Sequence, residues 1–124
     1  MMVGMNKSFE IEFERTHQDG KTAVLVSSGY GAGWSTWCSD DVLKGGLLFD
    51  SRIVGMVLAG HAGLVTEAWL AETWGIDDPD FYVCVLGASD LRVQWVPTGS
   101  RFLVDEYDGS EALTLLGDDI GWVA

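Results

Sequence analysis

A chain of 124 residues, 48% of them hydrophobic, has the size and apolar content of one domain with a single packed core. Its formal net charge of −12, from 19 acids against 7 bases, argues against direct binding to a nucleic-acid backbone, whose phosphates such a surface repels. No apolar run approaches the length of a bilayer-spanning helix and the first residues lack the basic and apolar stretches of a secretion signal, so the expectation is a cytoplasmic protein with no membrane partner.

Residues 1–7 read as a flexible N-terminus. Residues 8–14 then alternate Phe9, Ile11 and Phe13 with Glu10, Glu12 and Glu14, the period-two pattern of a strand with one buried and one wet face. Gln18-Asp19-Gly20 supplies turn chemistry before a second strand over residues 22–27, which makes a hairpin. The next segment, Gly29-Tyr30-Gly31-Ala32-Gly33-Trp34-Ser35-Thr36-Trp37, joins permissive backbone to large aromatic surface, so it is built either to bind or to plug. It lacks the lysine of a triphosphate loop and the full spacing of a dinucleotide fingerprint.

Further along, Leu47-Leu48-Phe49 runs into Asp50, an N-cap for a helix to residue 59 with Ile53, Val54, Val57 and Leu58 on one face. A second helix follows over residues 62–74, with Trp69 in its apolar stripe and Gly75 at its end. Asp77-Asp78-Pro79-Asp80 connects, and residues 81–86 read either as a buried strand or as the close of the helical part. Strands are expected from Leu91 to Pro97, over residues 101–107 with Phe102 and Val104 inward, and, after the hairpin signal Asp108-Gly109, over 112–116 and 120–124. The order implies an α+β fold: a single domain over residues 1–124, with a mainly antiparallel sheet and two consecutive helices packed on one face. The core is expected to include Val24, Val26, Leu58, Trp69, Trp95 and Phe102.

Chemistry concentrates in Asp105-Glu106-Tyr107-Asp108-Gly109-Ser110-Glu111. Residues 77–124 carry ten acids against Arg92 and Arg101, a net of −8, a field able to steer a basic partner. By strand parity Glu106 continues the face of Phe102 and Val104, which makes it a candidate buried acid; with Asp108 it is the candidate base of a small hydrolase. The plainer reading is a charged hairpin tip that blocks edge-to-edge aggregation. Asp108 and Glu111 do not match a calcium loop, and neither a metal nor a cofactor is expected. Ser27, Ser28, Ser35 and Cys38 are the candidate nucleophiles, with His17 and His61 the candidate bases, but nothing local orients either histidine. Cys38 and Cys84 stand in no paired motif, which suits reduced, partly buried thiols. Trp34 and Trp37 lie in a loop, where burial has to come from folding back on the sheet or from a ligand or partner.

The residues 29–37 motif, Phe49-Asp50 with Arg52 and Val54, Ser89-Asp90-Leu91 through Trp95-Val96-Pro97, and the run from Glu106 to Glu111 together resemble a family of small bacteriophage accessory proteins. The resemblance covers most of the chain from about residue 21 onward. It implies no particular activity; it implies a setting, because such proteins often antagonise a host enzyme or immune complex, and acidic ones do so by occupying a surface meant for nucleic acid. The leading expectation is therefore a non-enzymatic acidic binding protein. Its site residues would be Tyr30, Trp34, Ser35, Trp37, Asp105, Asp108 and Glu111, its partner a host protein with a basic surface, and it would act alone or as a homo-oligomer. The alternative is a small-molecule binder in which residues 29–37 wrap a nucleotide-like ligand while Trp34 and Trp37 stack on it; a hydrolase using Glu106 or Asp108 comes last.

Overall fold

The computed structural model describes residues 9–117 and 120–124, so the N-terminal expectation for residues 1–7 lies outside the described residues. Within them the chain is α+β, with two three-stranded antiparallel sheets and three α-helices. The first sheet has the order β1-β2-β3, from His17–Gln18, Lys21–Ser27 and Leu91–Pro97. The second has the order β5-β4-β6, from Ser110–Leu116, Arg101–Tyr107 and Trp122–Val123. The helices α1, Asp41–Phe49, α2, Ser51–Leu58, and α3, Glu67–Trp74, all fall between β2 and β3.

Strand β2 is the centre of the molecule. Its residues pair with β3 from Lys21↔Pro97 to Ser27↔Leu91, and residues 22–27 are buried, because both faces of the strand are covered. Ala23 and Leu25 join a core with Trp34, Leu43, Leu47, Ile53 and Leu70. Val24, one residue out of phase, joins a second cluster with Leu48, Phe49, Val96 and Phe102. Period-two alternation thus sends successive side chains of β2 into two different cores.

Of the strand expected over residues 8–14, the described residues 9–14 keep the alternation but make no ladder. Phe9, Ile11 and Phe13 are half-buried and Glu10, Glu12 and Glu14 exposed, while the backbone bonds to helix α2. The N–H of Ser51 donates to the Glu14 carbonyl at 2.8 Å, and Nη2 of Arg52 donates to the Glu12 carbonyl at 2.8 Å. Helix α2 starts on its expected cap, Asp50, and ends at Leu58, which is exposed rather than in the core. The second expected helix is divided. A short 3-10 turn, Ala62–Leu64, is followed by α3, whose first turn is capped by Thr66 accepting from the N–H of Trp69. Residues 81–86 are neither strand nor helix.

Helix α1 was not legible, because Gly45-Gly46 sits in its middle. Two glycines cost a helix about 1 kcal/mol each relative to alanine, and here tertiary packing overrides that cost. A Cβ on Gly46 would stand 2.6 Å from Cδ1 of Ile11 and 2.8 Å from Cζ2 of Trp74, so the absent side chain admits both neighbours. Asp50 locks the same junction. Its fully buried carboxylate accepts from the N–H, Nε and Nη2 of Arg52 at 2.8–3.0 Å and from Nε1 of Trp74 at 2.7 Å. The paired carboxylate holds the Arg52 guanidinium above its ordinary value.

Candidate functional site: the hairpin tip and the glycine-aromatic loop

The β4–β5 hairpin turns through Asp108 (φ 51°) and Gly109 (φ 86°), the two left-handed positions of a type I′ turn, as the Asp-Gly signal requires. Its register sets Glu106 directly opposite Glu111. Two carboxylates facing each other across a ladder repel, and the fold separates them by environment. Glu106 stays exposed and its Oε2 accepts the N–H of Gly109 at 2.7 Å, closing the turn. Glu111 goes inward, with 3% of its surface left exposed.

Both oxygens of Glu111 are engaged. Oε1 accepts the N–H of Ser27 at 2.9 Å. Oε2 accepts the N–H groups of Trp34 at 2.8 Å and Thr36 at 3.1 Å, and the Thr36 hydroxyl at 2.6 Å. A buried carboxylate is tolerated when donors replace its water, and these four do so. One of them comes from the end of β2 and three from the glycine-aromatic loop, so one side chain from β5 ties that loop to the strand. Backbone contacts complete the joint. The N–H of Gly31 donates to the Asp108 carbonyl at 2.6 Å, and the Ser110 hydroxyl donates to the Ser28 carbonyl at 3.1 Å. Gly109 lies against Ala32 so closely that any Cβ would overlap the Ala32 backbone.

This joint sorts the expected site residues. Trp34 is fully buried, its indole N–H donating to the Leu47 carbonyl at 2.7 Å, and Ser35 is buried beside it. Trp34, Ser35 and Glu111 are thus a correction to the expectation that placed them on a contact surface: the loop's middle plugs the core, and Glu111 holds the plug. Trp34 cannot stack on a ligand there. Trp37, 43% exposed, lines a separate cleft with Cys38 and Tyr82. Tyr30, Asp105 and Asp108 remain on the surface, Tyr30 at 73% exposure. The residue that the sequence reading missed is Tyr107, 80% exposed on the neighbouring tip. Its signal was parity: it shares the outward face of β4 with Asp105.

The catalytic candidates come apart. Glu106, expected as a partly buried acid, is exposed and bonded to its own turn. The Ser27 hydroxyl donates to the Gly87 carbonyl at 2.9 Å and that of Ser28 to the Asp90 carbonyl at 3.4 Å. His17 meets Thr22 instead, Nδ1 to Oγ1 at 3.1 Å, and Thr22 in turn meets Thr98 at 2.9 Å. No histidine reaches a candidate nucleophile among the described residues, and no three His, Cys, Asp or Glu side chains there converge as metal ligands. Among the described residues no helix is long and apolar enough to cross a membrane. Comparison with protein-family models, curated proteins and solved structures returns no match.

Proposed function

We propose that this is a non-enzymatic binding protein that engages a basic protein surface through the joined tips of the glycine-aromatic loop and the β4–β5 hairpin. One observation carries the reading: Tyr30 and Tyr107, the two most exposed tyrosines at these tips, stand on segments pinned together by the Gly31–Asp108 hydrogen bond and flanked by Asp105, Glu106 and Asp108. Rigid tyrosines are good contact anchors because they bring large amphipathic area with few rotamers to freeze. The surrounding acids steer a basic partner in and contribute mainly to the association rate. In the setting implied by the resemblance to phage accessory proteins, the partner is a host enzyme or immune complex in the cell interior, met at a surface that otherwise receives nucleic acid.

The test separates the two kinds of residue by rate constant. With a partner captured from host lysate, association should slow as salt rises, because the steering field is screened beyond about 8 Å in physiological salt. The double variant Asp105→Asn with Asp108→Asn should slow association further and leave dissociation nearly unchanged; asparagine tolerates the left-handed backbone at position 108. Tyr30→Ala and Tyr107→Ala should each speed dissociation by roughly 5- to 30-fold, the range of about 1 to 2 kcal/mol of an interface anchor. An association rate indifferent to salt and to the double variant would mean that the acids serve solubility alone, and the proposal would fall.

A further inference from the structure

On another part of the surface lies a cleft of about 330 Å3, within the size range of small-ligand sites. Its walls come from three separate stretches of chain: Phe9, the 3-10 turn Ser35–Trp37 with the residues leading into α1, and residues 80–84. Three aromatic rings line it, those of Phe9, Trp37 and Tyr82. Tyr82 is 72% exposed, so its ring is open to a ligand in the cleft. The charged residues in the lining are Asp40 and Asp80, with no lysine, arginine or histidine.

The walls are held from behind. The Phe9 ring packs edge-on to Phe81 at 5.7 Å between centroids, and Phe81 packs edge-on to Trp74 at 6.4 Å. The Val83 N–H donates to Oε2 of Glu67 on α3 at 3.1 Å, which fixes the 80–84 wall to a helix. The Trp37 indole lies against Gly33, where a Cβ would stand 2.6 Å from its Cδ1. Preformed aromatic walls reduce the ordering cost of binding.

We propose that this cleft is a binding site for an organic cation of the quaternary ammonium class. Aromatic faces attract a positive charge through the ring quadrupole, and clustered rings are the usual means of holding methylated ammonium groups. The carboxylates add attraction of the same sign. A primary ammonium carries three N–H donors that each need an acceptor, and Oδ1 of Asp40 already accepts from the N–H groups of Val42 and Leu43. A quaternary group has no donor to satisfy and takes its energy from the rings and the field. Cys38 and Cys84, the chain's two cysteines, lie in the same lining. Burial pushes the Cys38 thiol above its ordinary range, so the half-buried Cys84 is the thiol that reports on occupancy.

The experiment uses the full chain with choline, a trimethyl-lysine peptide and 3,3-dimethylbutan-1-ol, the uncharged shape-mimic of choline. Tryptophan emission and the rate of N-ethylmaleimide addition at Cys84 are followed together. A cation bound in the cleft should give saturable quenching and slow Cys84 alkylation at least fivefold, with no effect of the uncharged mimic. Whichever of choline and the peptide binds more tightly identifies a free metabolite or a modified protein as the source. Trp37→Ala and Tyr82→Ala should each weaken binding roughly 3- to 30-fold, and Asp40→Asn, which keeps the helix cap, should weaken it while the thermal midpoint stays near that of the parent. Equal binding of the uncharged mimic would overturn the proposal. So would unaltered Cys84 alkylation at tens of millimolar of both cations in folded protein.

Discussion

Glu111 shows how far one side chain's role depends on where its donors are. Four hydrogen-bond donors from residues 27, 34 and 36 meet its two oxygens, and truncation would strand three backbone N–H groups in a dry site. Each orphaned buried donor costs about 1 to 3 kcal/mol less whatever water can recover. Glu111→Ala should therefore destabilise the protein by about 3 to 5 kcal/mol in urea unfolding and release Trp34, seen as a red shift of tryptophan emission under native conditions. Glu106→Ala, which removes one exposed bond to Gly109, should cost about 1 kcal/mol or less. Equal effects of the two would contradict the assignment of Glu111 as the loop's anchor.

At the scale of elements, two helical glycines separate propensity from packing. Gly55 is exposed on α2 with nothing within 4 Å of where its Cβ would be, so Gly55→Ala should stabilise by about 0.5 to 1 kcal/mol through the lost freedom of the unfolded chain. Gly46→Ala brings the same propensity gain to α1, but its methyl collides with Ile11 and Trp74; forcing a core apart in this way costs about 1 to 3 kcal/mol. Thermal unfolding of the two variants should move in opposite directions. If Gly46→Ala also raised the midpoint, the close seating of residues 9–14 and α3 on α1 would be wrong.

For the whole molecule the consequence of β2 lying between two clusters is cooperativity. Phe102 belongs to the cluster on the Val24 side and Trp34 to the one on the Leu25 side, and α1 contributes Leu47 to one and Leu48 and Phe49 to the other. Neither side can loosen without exposing a face of the shared strand. Phe102→Ala should cost about 3 to 5 kcal/mol, and far-UV dichroism and tryptophan fluorescence should still report one coincident transition. Two separated transitions would mean that the second sheet unfolds on its own.

The sequence by itself determined what depends on neighbours along the chain. Asp108-Gly109 set its hairpin because both positions need positive φ, Asp50 and the alternation from Leu91 to Pro97 marked a helix start and a strand, and the order of elements gave the α+β class. Tertiary structure alone decided what depends on distant ones. The donors that draw Glu111 inward lie 75 to 84 residues away, so the chain that shows an acidic run at 105–111 cannot show which of its acids will be buried. Helix α1 forms through Gly45-Gly46 because packing outweighs propensity, and at Gly46 Ile11 and Trp74 fill the space that a side chain would need. Trp34 and Trp37 share one motif, yet one plugs the core and the other lines a cleft. Burial is a property of the surfaces that meet, and only the folded chain brings those surfaces together.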